Sequence, residues 1–151
     1  MSIPLKPATD VLELMRVIWA LDHALQSRSK AMARSLGVTG PQRFVLRVVE
    51  RSPGTTSGEL AEYLHLHPST LTGVLQRLEQ RKLLTRERDP RDARRVRLAL
   101  TPRGKEVLNR RRASVEAVVR QAIGREERAA VSTAVEVLRR LTSALEDTPQ
   151  P

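Results

Sequence analysis

A mainly α-helical chain with one small β-hairpin is what these 151 residues predict, and three observations carry that expectation. Apolar residues recur at spacings of three and four through most of the chain, the mark of helices with one buried face. After Leu83 the period changes to two over two short runs, as in a pair of strands. Ser, Thr, Pro and Gly punctuate the helical runs where caps and stops belong.

Composition narrows the core and the partner. Hydrophobic residues make up 40% of the chain, enough for a packed core, but aromatics are only 2%: Trp19, Phe44 and Tyr63. The core is therefore expected to be aliphatic, and binding of single strands by base stacking is disfavoured. Lys plus Arg number 27 against 17 for Asp plus Glu, a net charge of +10. Such an excess points to a polyanionic partner: nucleic acid, an anionic membrane or an acidic protein. Seven of the ten net charges fall in residues 68–105, which hold eleven basic and four acidic side chains. With no cysteine, disulfides, thiolate metal sites and thiol redox sensing are excluded. The longest apolar run, Val17-Ile18-Trp19-Ala20-Leu21, is too short to cross a bilayer, and no secretory signal is visible. A soluble cytoplasmic protein is expected. No Gly-rich phosphate loop, nucleophile elbow or poised acid–base pair occurs, so neither an enzyme nor a cofactor is expected.

Residues 1–8 read as a loose arm, and Thr9 or Asp10 caps a long helix running to about Ser35. Its stripe is Val11, Leu14, Ile18, Leu21 and Leu25, widened by Met15 and Trp19. A long helix beside the terminus packs on something outside its own lobe, and dimerisation is the economical reading. Leu36-Gly37-Val38-Thr39-Gly40 breaks it, and Thr39 with Pro41 starts a second helix with Phe44, Val45, Val48 and Val49 inward. Ser52-Pro53-Gly54 stops that helix.

Thr56-Ser57-Gly58-Glu59 is a capping box opening a short helix with Leu60, Ala61 and Leu64 inward. His65-Leu66-His67 links it to residues 68–81, where Leu71, Val74, Leu75 and Leu78 form an apolar stripe. The opposite side carries Ser69, Gly73, Gln76 and Gln80, with Thr72 and Arg77 on its shoulders. An ordinary amphipathic surface helix would more often carry Glu and Lys there. Short helix, turn and polar-faced second helix make a helix-turn-helix.

In the hairpin, Leu84, Arg86 and Arg88 alternate with Thr85 and Glu87, and Val96, Leu98 and Leu100 with Arg95, Arg97 and Ala99. The turn between them is Asp89-Pro90-Arg91-Asp92-Ala93-Arg94. The hairpin is expected to have one core face and an arginine-rich exterior, giving the helix-turn-helix a wing. Thr101-Pro102 starts a helix to Gly124 whose apolar side is Val107, Val115, Val118 and Ile123, with Arg110-Arg111-Arg112 as a basic turn. The last helix, from about Glu126 to Glu146, spaces Val131, Ala134, Leu138, Leu141 and Leu145 as a heptad seam suited to a subunit interface. Glu126-Glu127 at its start suits the helix dipole. Residues 148–151 are a tail. The expected division is an N-terminal dimerisation helix (1–36), a winged helix-turn-helix DNA-binding domain (37–101) and C-terminal dimerisation helices (102–151).

Several stretches together resemble the MarR family of bacterial transcriptional regulators. They are Ser57-Gly58-Glu59-Leu60-Ala61-Glu62-Tyr63-Leu64, Pro68-Ser69-Thr70-Leu71-Thr72 and Leu78-Glu79-Gln80-Arg81-Lys82-Leu83-Leu84. The wing adds Asp89-Pro90-Arg91-Asp92-Ala93-Arg94-Arg95, and Leu100-Thr101-Pro102-Arg103-Gly104 follows it. Their order and spacing are specific where each piece alone is weak, and Asp92-x-Arg94 is the most telling part. The resemblance implies a homodimeric winged helix-turn-helix with interlocking terminal helices, residues 68–81 in the major groove and the hairpin tip in an adjacent minor groove. It also implies a repressor that releases DNA when a small, often phenolic or anionic, ligand binds. The chain departs from the family pattern twice. Members often carry Gly where this chain has Lys82 or Leu83, which puts that turn's geometry in question. The lack of cysteine separates it from members that sense oxidants through a thiol.

Ser69, Thr70, Thr72, Gln76 and Arg77 are the expected recognition-helix contacts, with Gly73 allowing close approach. Gln76 can offer an amide edge to adenine and Arg77 can reach guanine or a phosphate. In the wing, Arg91, Arg94 and Arg95 suit a narrow minor groove, while Asp92 is expected to brace the turn, either with Arg94 as its salt-bridge partner or with Arg94 on DNA. Arg86, Arg88 and Arg97 read as a solvated strand face. His65-x-His67 suits a helix turn better than a metal site. Trp19 and His23, one turn apart, are candidates for a ligand pocket or for interface packing. The expected function is a dimeric, sequence-specific double-stranded DNA-binding regulator, a repressor released from a pseudo-palindromic operator by a small molecule. The alternative is a winged-helix protein-interaction module, marked by an exposed apolar patch, or a non-specific architectural DNA-binding module.

Overall fold

Side-chain caps at Thr39, Thr56, His67 and Thr101 set the spacing of the fold in a computed structural model that describes residues 10–110 and 114–148. Thr39 closes a full capping box with Gln42 to start α2 (Gly40–Arg51), and Thr56 closes one with Glu59 to start α3 (Ser57–Leu64). His67 caps α4 (Pro68–Gln80) and Thr101 caps α5 (Pro102–Asn109). Each cap satisfies amide groups that the first helical turn leaves without partners. Before them runs α1 (Asp10–Leu36); after them come α6 (Val115–Ile123) and α7 (Arg128–Asp147). Between α4 and α5, β1 (Leu84–Arg88) pairs antiparallel with β2 (Val96–Leu100), with Leu84 opposite Leu100 and Arg86 opposite Leu98. The mainly helical winged fold expected from periodicity is the fold observed.

The chain forms two compact units, Met1–Val115 and Glu116–Pro151. The first is built on an aliphatic core of Met32, Leu36, Val38, Val45, Leu46, Val49, Leu60, Leu71, Leu75, Leu78, Leu83, Leu84, Leu98 and Leu108. All three aromatics lie outside it: Phe44 is about half exposed, and Trp19 and Tyr63 are about two-thirds exposed. The second unit contains α6 and α7, neither of which has a fully buried residue. No helix among the described residues is long and apolar enough to cross a membrane.

Three local expectations need correction. On α2 the inward face is Gln42, Arg43, Val45, Leu46 and Val49, while Phe44 points outward and Val48 is only partly covered. The run predicted as one helix from Thr101 to Gly124 is two, with Arg110 at ψ 78° closing α5. The cause is Arg43: fully buried, its guanidinium donates to the carbonyls of Val107 (2.6 Å) and Leu108 (2.9 Å), and Arg47 adds a bond to Leu108 at 3.2 Å. Carbonyls taken by arginines suit a helix that ends there, since the last turn leaves its acceptors open. Finally, cross-strand register puts Arg86 and Arg88 on the side of Leu98 and Val96, so the arginines do not form one exterior face. The expected cap at Thr9, the arm 1–8, Arg111 and Arg112 of the basic turn, and tail residues 149–151 lie outside the described residues.

The turn where a glycine was absent keeps a left-handed shape all the same. Lys82 takes φ +56°, a conformation disfavoured for any residue with a side chain. Thr101 holds it there: its hydroxyl donates to the Lys82 carbonyl at 2.7 Å and its amide to Leu83 at 3.2 Å. The same hydroxyl accepts from the Gly104 amide at 3.0 Å. Gly104 must lack a side chain, because a β-carbon there would fall on the Leu83 carbonyl oxygen.

Candidate nucleic-acid interface

Burial sorts α4 into two faces. Leu71, Leu75 and Leu78 are buried and Val74 is partly covered, which leaves Ser69, Thr70, Thr72, Gln76 and Arg77 exposed. His67 sits 2.7 Å from the Ser69 hydroxyl and accepts from the Ser69 amide at 3.3 Å, so it organises the helix start. His65 ends α3 in the left-handed conformation, φ +50°. Both histidines thus serve the turn between the helices. Thr72 spends its hydroxyl proton on the Pro68 carbonyl at 2.8 Å and can then only accept from a ligand. The side chains of Gln76 and Arg77 make no hydrogen bond among the described residues, and space around Gly73 is open. Donors in this geometry, on a helix face of modest width, are what a major groove reads.

The wing is braced at its base and open at its tip. Asp89, nearly buried, accepts the Arg91 amide at 2.8 Å and grips the Arg97 guanidinium at 2.6 and 2.7 Å. The Arg91 amide above all, with Arg97 and the Asp92 amide adding to it, holds the Asp89 carboxyl below the usual aspartate range. Asp92 accepts the Arg94 amide at 3.0 Å and, through its carbonyl, the Arg95 amide at 2.9 Å. Asp92 therefore meets Arg94 through the main chain, and among the described residues the guanidinium groups of Arg91 and Arg94 form no ion pair. Arg95 pairs with Glu59 at 2.6 Å. Arg86 stays on the exposed strand surface, where it binds Glu79 of α4 at 3.0 Å, whereas Arg97 is partly covered and committed to Asp89. Arg88 alone of those three stays exposed without an ion pair among the described residues.

Asp89 and Arg97 are the structural pair that sequence reading missed. An Asp placed just past a strand and before Pro, able to accept from its own turn, was the available signal. Arg81 was missed as well; it reaches from the end of α4 to the Gly37 carbonyl and ties that helix to the α1–α2 turn. On α1, Trp19 is 65% exposed and His23 is exposed beside it.

Comparison with known proteins agrees with this geometry. The MarR family model matches residues 36–95. The HTH-type transcriptional repressor Mb2911 of Mycobacterium bovis is 31% identical over 109 residues, covering 72% of this chain and 76% of that one. The organic hydroperoxide resistance transcriptional regulator of Bacillus subtilis is 32% identical over 92 residues, 61% of this chain and 63% of its own length. Among solved structures, MepR of S. aureus in complex with DNA superposes with a TM-score of 0.73 at 17% identity, covering 91% of this chain and 99% of that one. The PcaV transcriptional regulator of Streptomyces coelicolor, solved with its natural ligand, gives 0.66 at 26% identity, covering 96% and 99%.

Proposed function

This chain belongs to the MarR family of transcriptional regulators, and from that premise we propose that it is a dimeric repressor that binds a pseudo-palindromic double-stranded operator and leaves it when a small molecule binds. The observation that carries the reading is the division of α4 into a buried Leu71–Leu75–Leu78 side and an exposed polar side, beside a wing whose tip arginines Arg91 and Arg94 form no ion pair among the described residues. Ser69, Thr70, Thr72, Gly73, Gln76 and Arg77 would meet the major groove, with Gln76 and Arg77 reading bases. Arg91, Arg94 and Arg95 would supply the wing's contacts to the minor groove and its phosphates, with Asp92 bracing the turn. Residues 37–101 would form the DNA-binding domain, and residues 1–36 and 102–151 the dimerisation region. Ligand release is supported by the PcaV structure, which holds a natural ligand; Trp19 and His23 are the side chains of α1 we place near such a molecule.

Selection of bound duplexes from a random pool, with and without phenolic ligands, tests the reading. A palindromic motif with half-sites about one helical turn apart is expected. Affinity should fall steeply with salt, at about 0.9 log units per log unit of salt for each phosphate neutralised. Gln76→Ala should change the motif, whereas Arg91→Ala should weaken all duplexes alike. Recovery of no motif, or binding that ignores salt, would overturn it.

A further inference from the structure

Of the three arginines at the wing tip, Arg95 is the one in an ion pair among the described residues. Its partner Glu59 has two jobs. One carboxylate oxygen accepts the Thr56 amide at 2.8 Å and closes the capping box of α3; the other accepts a single N–H of Arg95 at 2.6 Å, across 36 residues of sequence. Both side chains are about half exposed. The wing does not need this bond to hold its place. Leu98 donates to the Thr55 carbonyl at 2.8 Å, Thr56 bridges Arg97 along the backbone, and Arg97 grips Asp89 with its stem against Gly54. A singly bonded, exposed pair is weak, whereas a phosphate offers arginine two charge-assisted bonds at once.

We propose that Glu59 is a built-in competitor of the DNA backbone: it holds the Arg95 guanidinium in the free protein and yields it to a phosphate on binding. The Glu59 carboxylate thereby keeps affinity for duplex DNA below what the wing arginines alone would give. This inference rests on the DNA-binding reading above.

The test is titration of the full chain with a random-sequence duplex across a salt series. Glu59→Gln keeps an amide oxygen for the Thr56 cap but removes the charge. It should bind about two- to five-fold tighter at low salt, the span by which exposed pairs act, with a steeper salt slope. Arg95→Ala should cost less than Arg91→Ala in the wild-type background and more in the Glu59→Gln background. Equal or weaker binding by Glu59→Gln at an unchanged melting temperature overturns the inference. So does an Arg95→Ala loss as large as that of Arg91→Ala in the wild type, a comparison independent of how well Glu59→Gln folds. Wild-type protein that binds no duplex removes the DNA-binding reading and the inference together. Salt-dependent wild-type binding without the gain in Glu59→Gln removes the inference alone.

Discussion

Gly73 stands in the middle of α4, where glycine costs a helix about 1 kcal/mol relative to alanine. Nothing surrounds it: a β-carbon there would meet no atom within 4 Å. Packing thus gives no reason for glycine, in contrast to Gly104, where the Leu83 carbonyl leaves no room for any side chain. The remaining reason is an approach by something outside the chain, which fits a helix seated in a groove. Gly73→Ala should therefore act with opposite signs on two measurements. The melting temperature should rise by about 2–4 °C, as 1 kcal/mol does in a chain of this size, while affinity for the selected duplex should fall several-fold. A variant that is stabilised and binds unchanged would remove Gly73 from the interface.

At the scale of elements, the wing depends on a carboxylate that must stay ionised. Asp89 is held below its ordinary value, chiefly by the Arg91 amide, so its contribution to stability is complete above the usual aspartate range near pH 4. It is lost as pH falls through the lowered folded value. Thermal unfolding followed from pH 6 down to the aspartate range and below should show the wild type losing stability on acidification more steeply than Asp89→Asn, which is weaker at neutral pH and flatter in acid. Parallel curves would remove Asp89 from that role. The same element shows what sequence could and could not disclose. Thr39, Thr56 and Thr101 announced their helices because a cap is a local bond between residues three apart. The stripe of Leu71, Leu75 and Leu78 and the hairpin's change of period were equally local. Arg43 was not: an arginine in a helix reads as surface until α5 arrives, some sixty residues later, with carbonyls to fill. The Arg95–Glu59 and Arg97–Asp89 pairs depend on strand register and on how the hairpin meets α3, and no spacing rule specifies either. For that reason the exposed polar face of α4 was legible, while the division of the wing arginines into bracing and free ones was not.

At the scale of the whole molecule, apolar surface is left over. On α1, Val11, Leu14, Val17, Trp19, Leu21 and Leu25 are about 40–65% exposed in the single chain, and only Met32 and Leu36 enter the core. On α7, Leu138 is 43% and Leu145 78% exposed, while Val131 and Leu141 are partly covered. A 20-residue helix with no buried residue gains little from propensity alone and needs a packed face to be stable. Positions 131, 134, 138, 141 and 145 repeat as a seam, which fits a second copy of the same chain. We therefore expect a dimer in which α1 and α7 supply the contact, and Leu138→Glu should split it by placing a charge on that seam. Sedimentation at micromolar concentration should show a dimer for the wild type and a monomer for the variant, with the winged helix still folded. The functional consequence follows from linkage of two half-sites: joined readers exceed single ones by about 10²–10⁴ in affinity without any new contact. Leu138→Glu should thus lose about that much on the full palindrome yet bind an isolated half-site as the wild type does. A variant that remains dimeric, or a wild type that sediments as a monomer, would mean that these exposed faces serve some other partner.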